Sequence, residues 1–160
     1  MAIYLEYDGI KGNVTAEGYK DMIRLDSIQF GVSRGISMEA GHMSNREATR
    51  PNISEVTVSK MMDGASSGLF QDALVGSEGK KAVIHVVKTG ADKVEEYVKY
   101  ELEETLISSY SMSAGDAGPP AESLSFSFGK IKMIYTAADK KNTAGNQGIV
   151  GYDLTAGKKL

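Results

Sequence analysis

The sequence contains no cysteine. Disulfides and thiolate metal sites are therefore excluded, and the fold must hold by packing or by assembly. Proline is scarce, at 3 residues, while glycine is abundant, at 18. That balance suits tight turns and bulges between strands, not a collagen-like or proline-rich chain. Histidine occurs twice, as His42 and His85, and no HxH or HExxH spacing joins the two, so no metal site is expected. No basic tract is present, and the formal net charge is −3 with both signs interspersed, which gives no basis for binding nucleic acid or a membrane surface. No run approaches the roughly 20 apolar residues of a membrane-spanning helix. The opening MAIYLEYDGIKG lacks a charged region followed by an apolar one, so no signal peptide is expected. What remains is 160 residues, 41% of them hydrophobic, which is expected to form a single domain over 1–160 with a real core.

Alternation of apolar and polar residues dominates the chain. Ile3, Leu5 and Tyr7 alternate with Tyr4, Glu6 and Asp8, the period of a half-buried strand. Between Met22 and Val32 the apolar parity changes near Asp26-Ser27, which predicts a bulge or a strand passing from one surface to another. The stretch from Ser33 to Asn52 has no period, and a patternless loop of this length is usually functional or disordered. Ile53 to Met61 reads as a strand, and Ser66 or Ser67 then caps a short helix. Its apolar face would be Ala65, Leu69, Phe70, Ala73 and Leu74, packed on a sheet, with Gly76 in a left-handed position after its end. Lys81 to Lys88 is a strand. Val94 to Ser109 fits a helix or a strand about equally, and the alternation that continues through Tyr110 and Met112 favours a long strand. Ser123 to Phe128 alternates cleanly, and Gly129 breaks the parity as a bulge would. Ile149 to Leu154 could add a strand within a C-terminal extension spanning 137–160. Several strands with one short helix predict a mainly β sandwich or barrel.

A search for chemistry is empty. No GxSxG or Ser-Lys signature is present, and the glycine pairs do not form a phosphate loop. Glu95-Glu96 and Glu103-Glu104 are sequence neighbours that a strand points to opposite faces. Ser108-Ser109 and Ser123, Ser125 and Ser127 fall on strand faces and are expected to line a polar surface. The reading is of a structural subunit, not an enzyme, with no cofactor.

The order of segments is familiar. IYLEYDGIKGN, VTVSKMMDGASSGLFQDALVG, VEEYVKYELEETLISSYSMS, ESLSFSFGKIKMIYT and GIVGYDL together resemble the Hcp family, the haemolysin-coregulated proteins of the bacterial type VI secretion tube. The most specific pieces are Lys60, Asp63, Ser66 and Leu69, then Glu122-Ser123 and Lys130-Ile131. The resemblance implies a two-sheet β-barrel with a flanking helix, assembling into a hexameric ring whose rings stack into a tube. It implies secretion without a signal peptide, from the cytoplasm through the type VI machine, with spike and sheath proteins as partners. Some members carry small effector proteins in the lumen. It also favours strand for Val94 to Ser109. The family's extended members end in toxin domains, for which a chain ending at Leu160 has no room.

On that reading Ser27 and Gln29 face the lumen, unless Gln29 is an ordinary solvent-facing side chain. The loop from Ser37 to Pro51 is the candidate for ring stacking, through Met38, Glu39, Met43, Arg46, Glu47 and Arg50, since a head-to-tail contact propagates without closing. A freely acting secreted effector, a small-ligand-binding barrel and a phage tail-tube protein fit the same pattern.

Overall fold

The computed structural model describes residues 1–36, 49–89, 94–138 and 144–160. Twelve strands and one helix follow in the order β1 (Ala2–Tyr7), β2 (Ile23–Leu25), β3 (Ser27–Gln29), β4 (Val32–Ser33), β5 (Asn52–Ile53), β6 (Val56–Met61), α1 (Ser66–Val75), β7 (Lys80–Thr89), β8 (Val94–Ser113), β9 (Ala121–Ser127), β10 (Lys130–Ala138), β11 (Ala144–Asp153) and β12 (Lys158–Lys159). One sheet runs β12-β11-β10-β8-β7-β1-β2, and a second runs β3-β6-β9-β8. Every pairing is antiparallel. The inward residues of both sheets make one core, in which Leu5, Ile23, Val56, Ile84, Leu102, Leu124 and Phe126 are fully buried.

The 20-residue strand β8 belongs to both sheets, and it settles as strand the segment that periodicity alone left open. Its first half pairs with β7 and β10, and its second half with β9. The change of sheet occurs at Glu104, a non-glycine residue with φ 55°. Two glycines make room for this corner. A Cβ on Gly79 would stand 2.7 Å from the Glu104 Cα, and the Gly129 N–H donates to the Glu103 carbonyl at 3.0 Å. Gly129 is therefore not a bulge within one strand. It separates β9 from β10, where the chain crosses from the second sheet to the first.

The parity change near Asp26 is the second corner. Ile23 and Leu25 are buried on the first sheet, and Ile28 turns inward on the second, with Ser27 and Gln29 exposed beside it. The sheets are not closed into a barrel, which corrects the expectation drawn from the resemblance. At this corner the chain joins β2 to β3, and the Asp26 N–H donates to the Ser59 carbonyl at 2.7 Å without a ladder between β2 and β6. The segment Ile53–Met61 is likewise two strands, since Ser54 and Glu55 separate β5 from β6. Beyond 137 the chain continues as β11 and β12, so these residues extend the first sheet.

The helix differs from expectation at both ends. Neither serine caps it: Ala65, the residue before it, is already right-handed helical and no side-chain cap bond forms there. Asp63 supplies the carboxylate that accepts from the Ala65 N–H at 2.9 Å, and Ser66 Oγ accepts from the Asp63 N–H at 3.0 Å. Gly76 is extended, not left-handed, with φ −63°. Glycine is needed there for space, because a Cβ would stand 2.4 Å from the Asp72 carbonyl oxygen.

Gly79→Ala tests the β8 corner. Overpacking against backbone is expected to cost about 1–3 kcal/mol, read as a lowered urea midpoint with an unchanged slope. An unchanged midpoint would show that the corner has slack.

Candidate functional site

The outer face of the second sheet carries the most regular chemistry in the molecule. Side chains on alternate residues of a strand share a face, so cross-strand register arranges them in rows. One row runs Ser27, Ser59, Ser123, Ser111 across β3, β6, β9 and β8. The next runs Gln29, Thr57, Ser125, Ser109. Seven hydroxyls and one amide thus cover a four-strand face. Ser27 and Ser59 share a hydrogen bond of 2.5 Å, and Thr57 and Ser125 one of 3.3 Å. Ser108, the extra residue where the register slips between Ile107 and Ser109, donates to Glu55 Oε2 at 2.6 Å. Ser27 and Gln29, singled out from the sequence, both lie exposed on this face. Ser109, Ser123 and Ser125, expected to line a polar surface, lie on it too. Glu55 was not singled out, nor were Thr57, Ser59 and Ser111. Their signal was a hydroxyl at every second residue of β6 and β8, which becomes a surface only once register aligns the strands.

Directly beneath the face lies a buried polar network. Lys60 and Glu122 are cross-strand partners on β6 and β9, each one residue from an outward serine. Lys60 Nζ donates to Glu122 Oε1 at 2.8 Å, Asp63 Oδ1 at 2.9 Å, the Met61 carbonyl at 2.9 Å and Ser66 Oγ at 3.3 Å. Ser66 donates to Glu122 Oε1 at 2.5 Å, and the Tyr110 hydroxyl donates to its Oε2. Burial alone would push the Glu122 carboxyl up. The bonds from Lys60, Ser66 and Tyr110, with the lysine's charge, outweigh it and hold the carboxyl below the usual glutamate range. Burial and the bond to Glu122 push the Tyr110 hydroxyl up to about 12. These are the residues that the sequence marked without giving them a role.

On its other side α1 is tied to the first sheet. Asp72 accepts from the Tyr7 hydroxyl at 2.6 Å and pairs with Lys80 at 3.0 Å. Two polar residues, Ser66 and Asp72, therefore occupy the helix face turned to the sheets. This rotates the apolar residues from their expected places. Leu69 is fully buried and Ala73 packs on the core, but Leu74 is 67% exposed and Phe70, 48% exposed, packs at a tilt against Tyr110 with centroids 5.1 Å apart.

Of the stacking-loop candidates, Met38, Glu39, Met43, Arg46 and Glu47 lie outside the described residues, as does His42. The base of that loop is described. β4 and β5 pair, and Gly35 and Thr49 exchange hydrogen bonds at 2.8 and 2.9 Å. Arg50 lies against the C-terminal segment, where a Cβ on Gly157 would be 3.3 Å from its guanidinium. Beside this base an apolar groove of about 660 Å³ runs between Phe30, Val32 and Ile53 on one side and Tyr100, Met133 and Val150 on the other. His85 is buried in β7, with Nδ1 2.9 Å from Glu96 Oε2. Among the described residues no group of three or more His, Asp or Glu side chains converges as metal ligands, and no helix is long and apolar enough to cross a membrane.

Comparison with known proteins gives this arrangement its place. The family model described as "Type VI secretion system effector, Hcp" matches residues 4–135. The chain belongs to the Hcp family. Hcp proteins are tube proteins of type VI secretion, not a known family of enzymes. A structure described as that of a type six secretion system protein superposes with a TM-score of 0.91 at 24% identity, covering 99% of both chains. Hcp1 from Salmonella typhimurium gives 0.80 at 24% identity over 99% of this chain and 98% of its own. A type VI secretion system effector from Yersinia pestis gives 0.74 at 19% identity, covering 94% and 98%. No curated protein sequence matches the chain. At such identities the likeness is one of fold, so the Hcp motif residues carry meaning here through what they touch: Lys60, Asp63, Ser66 and Glu122 fasten the helix under the hydroxyl face.

Glu122→Gln leaves Lys60 short of one buried counter-charge and is expected to cost about 3 kcal/mol of stability. Because the Glu122 carboxyl is held low in the folded state, its contribution is complete above the ordinary glutamate range near pH ~4.3 and is lost as pH falls through the depressed folded value. Denaturation midpoints across acid pH should therefore fall more steeply for the wild type than for Glu122→Gln. Parallel curves would remove Glu122 from the account of acid stability.

Proposed function

We propose that the chain is the repeating subunit of a type VI secretion tube: six copies close into a ring, rings stack head to tail, and the second sheet's outer face lines the lumen. The single observation that carries this reading is the two-row hydroxyl surface of β3, β6, β9 and β8, which lies opposite a core-facing side and holds no catalytic group. A sheet with one face in the core and one uncharged polar face suits a wall along which folded cargo slides. The subunit leaves the cytoplasm through the type VI machine, and spike, sheath and small effector proteins are its partners.

Ser27 and Gln29 sit at the β3 edge of this wall, and the loop from Ser37 to Pro51 makes the contact between rings. Arg50 and the apolar groove at the loop's base support that role, since both border the segment in question. A head-to-tail contact of this kind repeats without closing.

Gln29→Trp should leave ring assembly intact, by gel filtration, while reducing co-purification of a small protein held in the lumen. Unchanged cargo recovery would remove Gln29 from the lining. Deleting residues 40–47 should yield rings that no longer sediment as tubes. Normal tubes from the deletion would refute the stacking role.

A further inference from the structure

The uncharged hydroxyl face is bordered by charge. Its outward positions on β3, β6, β9 and residues 109–113 of β8 carry no lysine and no arginine, because Lys60, the cation of β6, points inward and is fully buried. At one margin Asp26 lines a pocket together with Arg24, so opposite charges meet there, and the acid of the other margin is Glu55. Asp26 is exposed beside Ser27, and Glu55 is exposed just before β6. Glu55 has no ion-pair partner among the described residues. It is nevertheless held in place, since Ser108 Oγ donates to it at 2.6 Å and lies 3.1 Å from the Ser125 carbonyl, which fixes the carboxylate over the end of the hydroxyl rows.

We infer that the occupant of this face is a small folded protein with a basic surface, met by Glu55 and by hydroxyls that donate or accept as the cargo requires. The inference rests on the ring reading above, because ring closure repeats Glu55 once per subunit around a low-dielectric wall, where like charges focus a field that one copy alone does not. An acidic cargo meets repulsion, and an apolar one would strip water from hydroxyls without replacing their hydrogen bonds.

Light scattering first establishes the assembly state. Retention of cytochrome c, a small basic protein, is then compared with that of its succinylated, acidic form by co-sedimentation at low and at physiological salt. Wild-type rings should retain the basic form and release it with salt. Glu55→Gln should weaken retention about tenfold, the scale of one lost charge-assisted contact. Glu17→Gln, an exposed carboxylate off this face with the same change in net charge, should not. Rings that retain neither form, retain both equally, or lose the basic form equally in the two variants overturn the inference and leave the ring reading standing. A monomer whose retention still depends on Glu55 overturns the ring reading and supports the charge preference of the face.

Discussion

Lys60 and Glu122 face each other across β6 and β9, and neither side chain reaches solvent. An ion pair in that position is weak evidence for net stability, since desolvation of both charges offsets most of their attraction. What it supplies is geometry. The lysine ammonium also takes Asp63 and Ser66 at the start of α1, and the glutamate takes Ser66 and Tyr110. Two strands of the second sheet, the helix start and the far half of β8 therefore share one set of bonds. The next residue along each strand, Ser59 and Ser123, points the other way. Network and hydroxyl face are the two sides of the same ladder, and the order of the second depends on the first.

Much of this was legible in the chain. Alternation located β1, β9 and β10, a run of β-branched residues located β7, and the parity break at Asp26 located a change of sheet. The motif residues Lys60, Asp63, Ser66 and Glu122 were marked, yet their partnership was not, because 62 positions separate the lysine from the glutamate and only the β6–β9 register brings them together. The helix shows the limit of hydrophobic patterning. Its buried face includes Ser66 and Asp72, whose value lies in the groups they bond, so a count of apolar residues turned the helix too far toward Phe70 and Leu74. Gly129 was read within one strand because its neighbours on both sides alternate. The corner it makes depends on Glu104, which is distant in sequence and bent by its own positive φ. The barrel expected from the resemblance is open at Asp26, where a covalent turn stands in place of a ladder.

On the proposed reading the protein acts through a surface repeated by symmetry. Nothing on the hydroxyl face needs a shifted pKa or a bound metal. The face needs register, which along the β8–β9 ladder slips by one residue only where Ser108 reaches Glu55. A slip elsewhere would turn the serines into the core and Leu124 and Phe126 out to water. The alternation that buries those two side chains is therefore the same alternation that builds the polar wall.

The absence of cysteine permits a direct test of where that wall faces. Gln29→Cys places a unique thiol on the hydroxyl face, and Glu17→Cys places one off it. In the assembled protein, a small maleimide should label both positions, while a maleimide on a long polyethylene glycol chain should label Glu17→Cys and be excluded from Gln29→Cys until the assembly is denatured. Equal labelling of the two native positions by the bulky reagent would contradict a lumenal face.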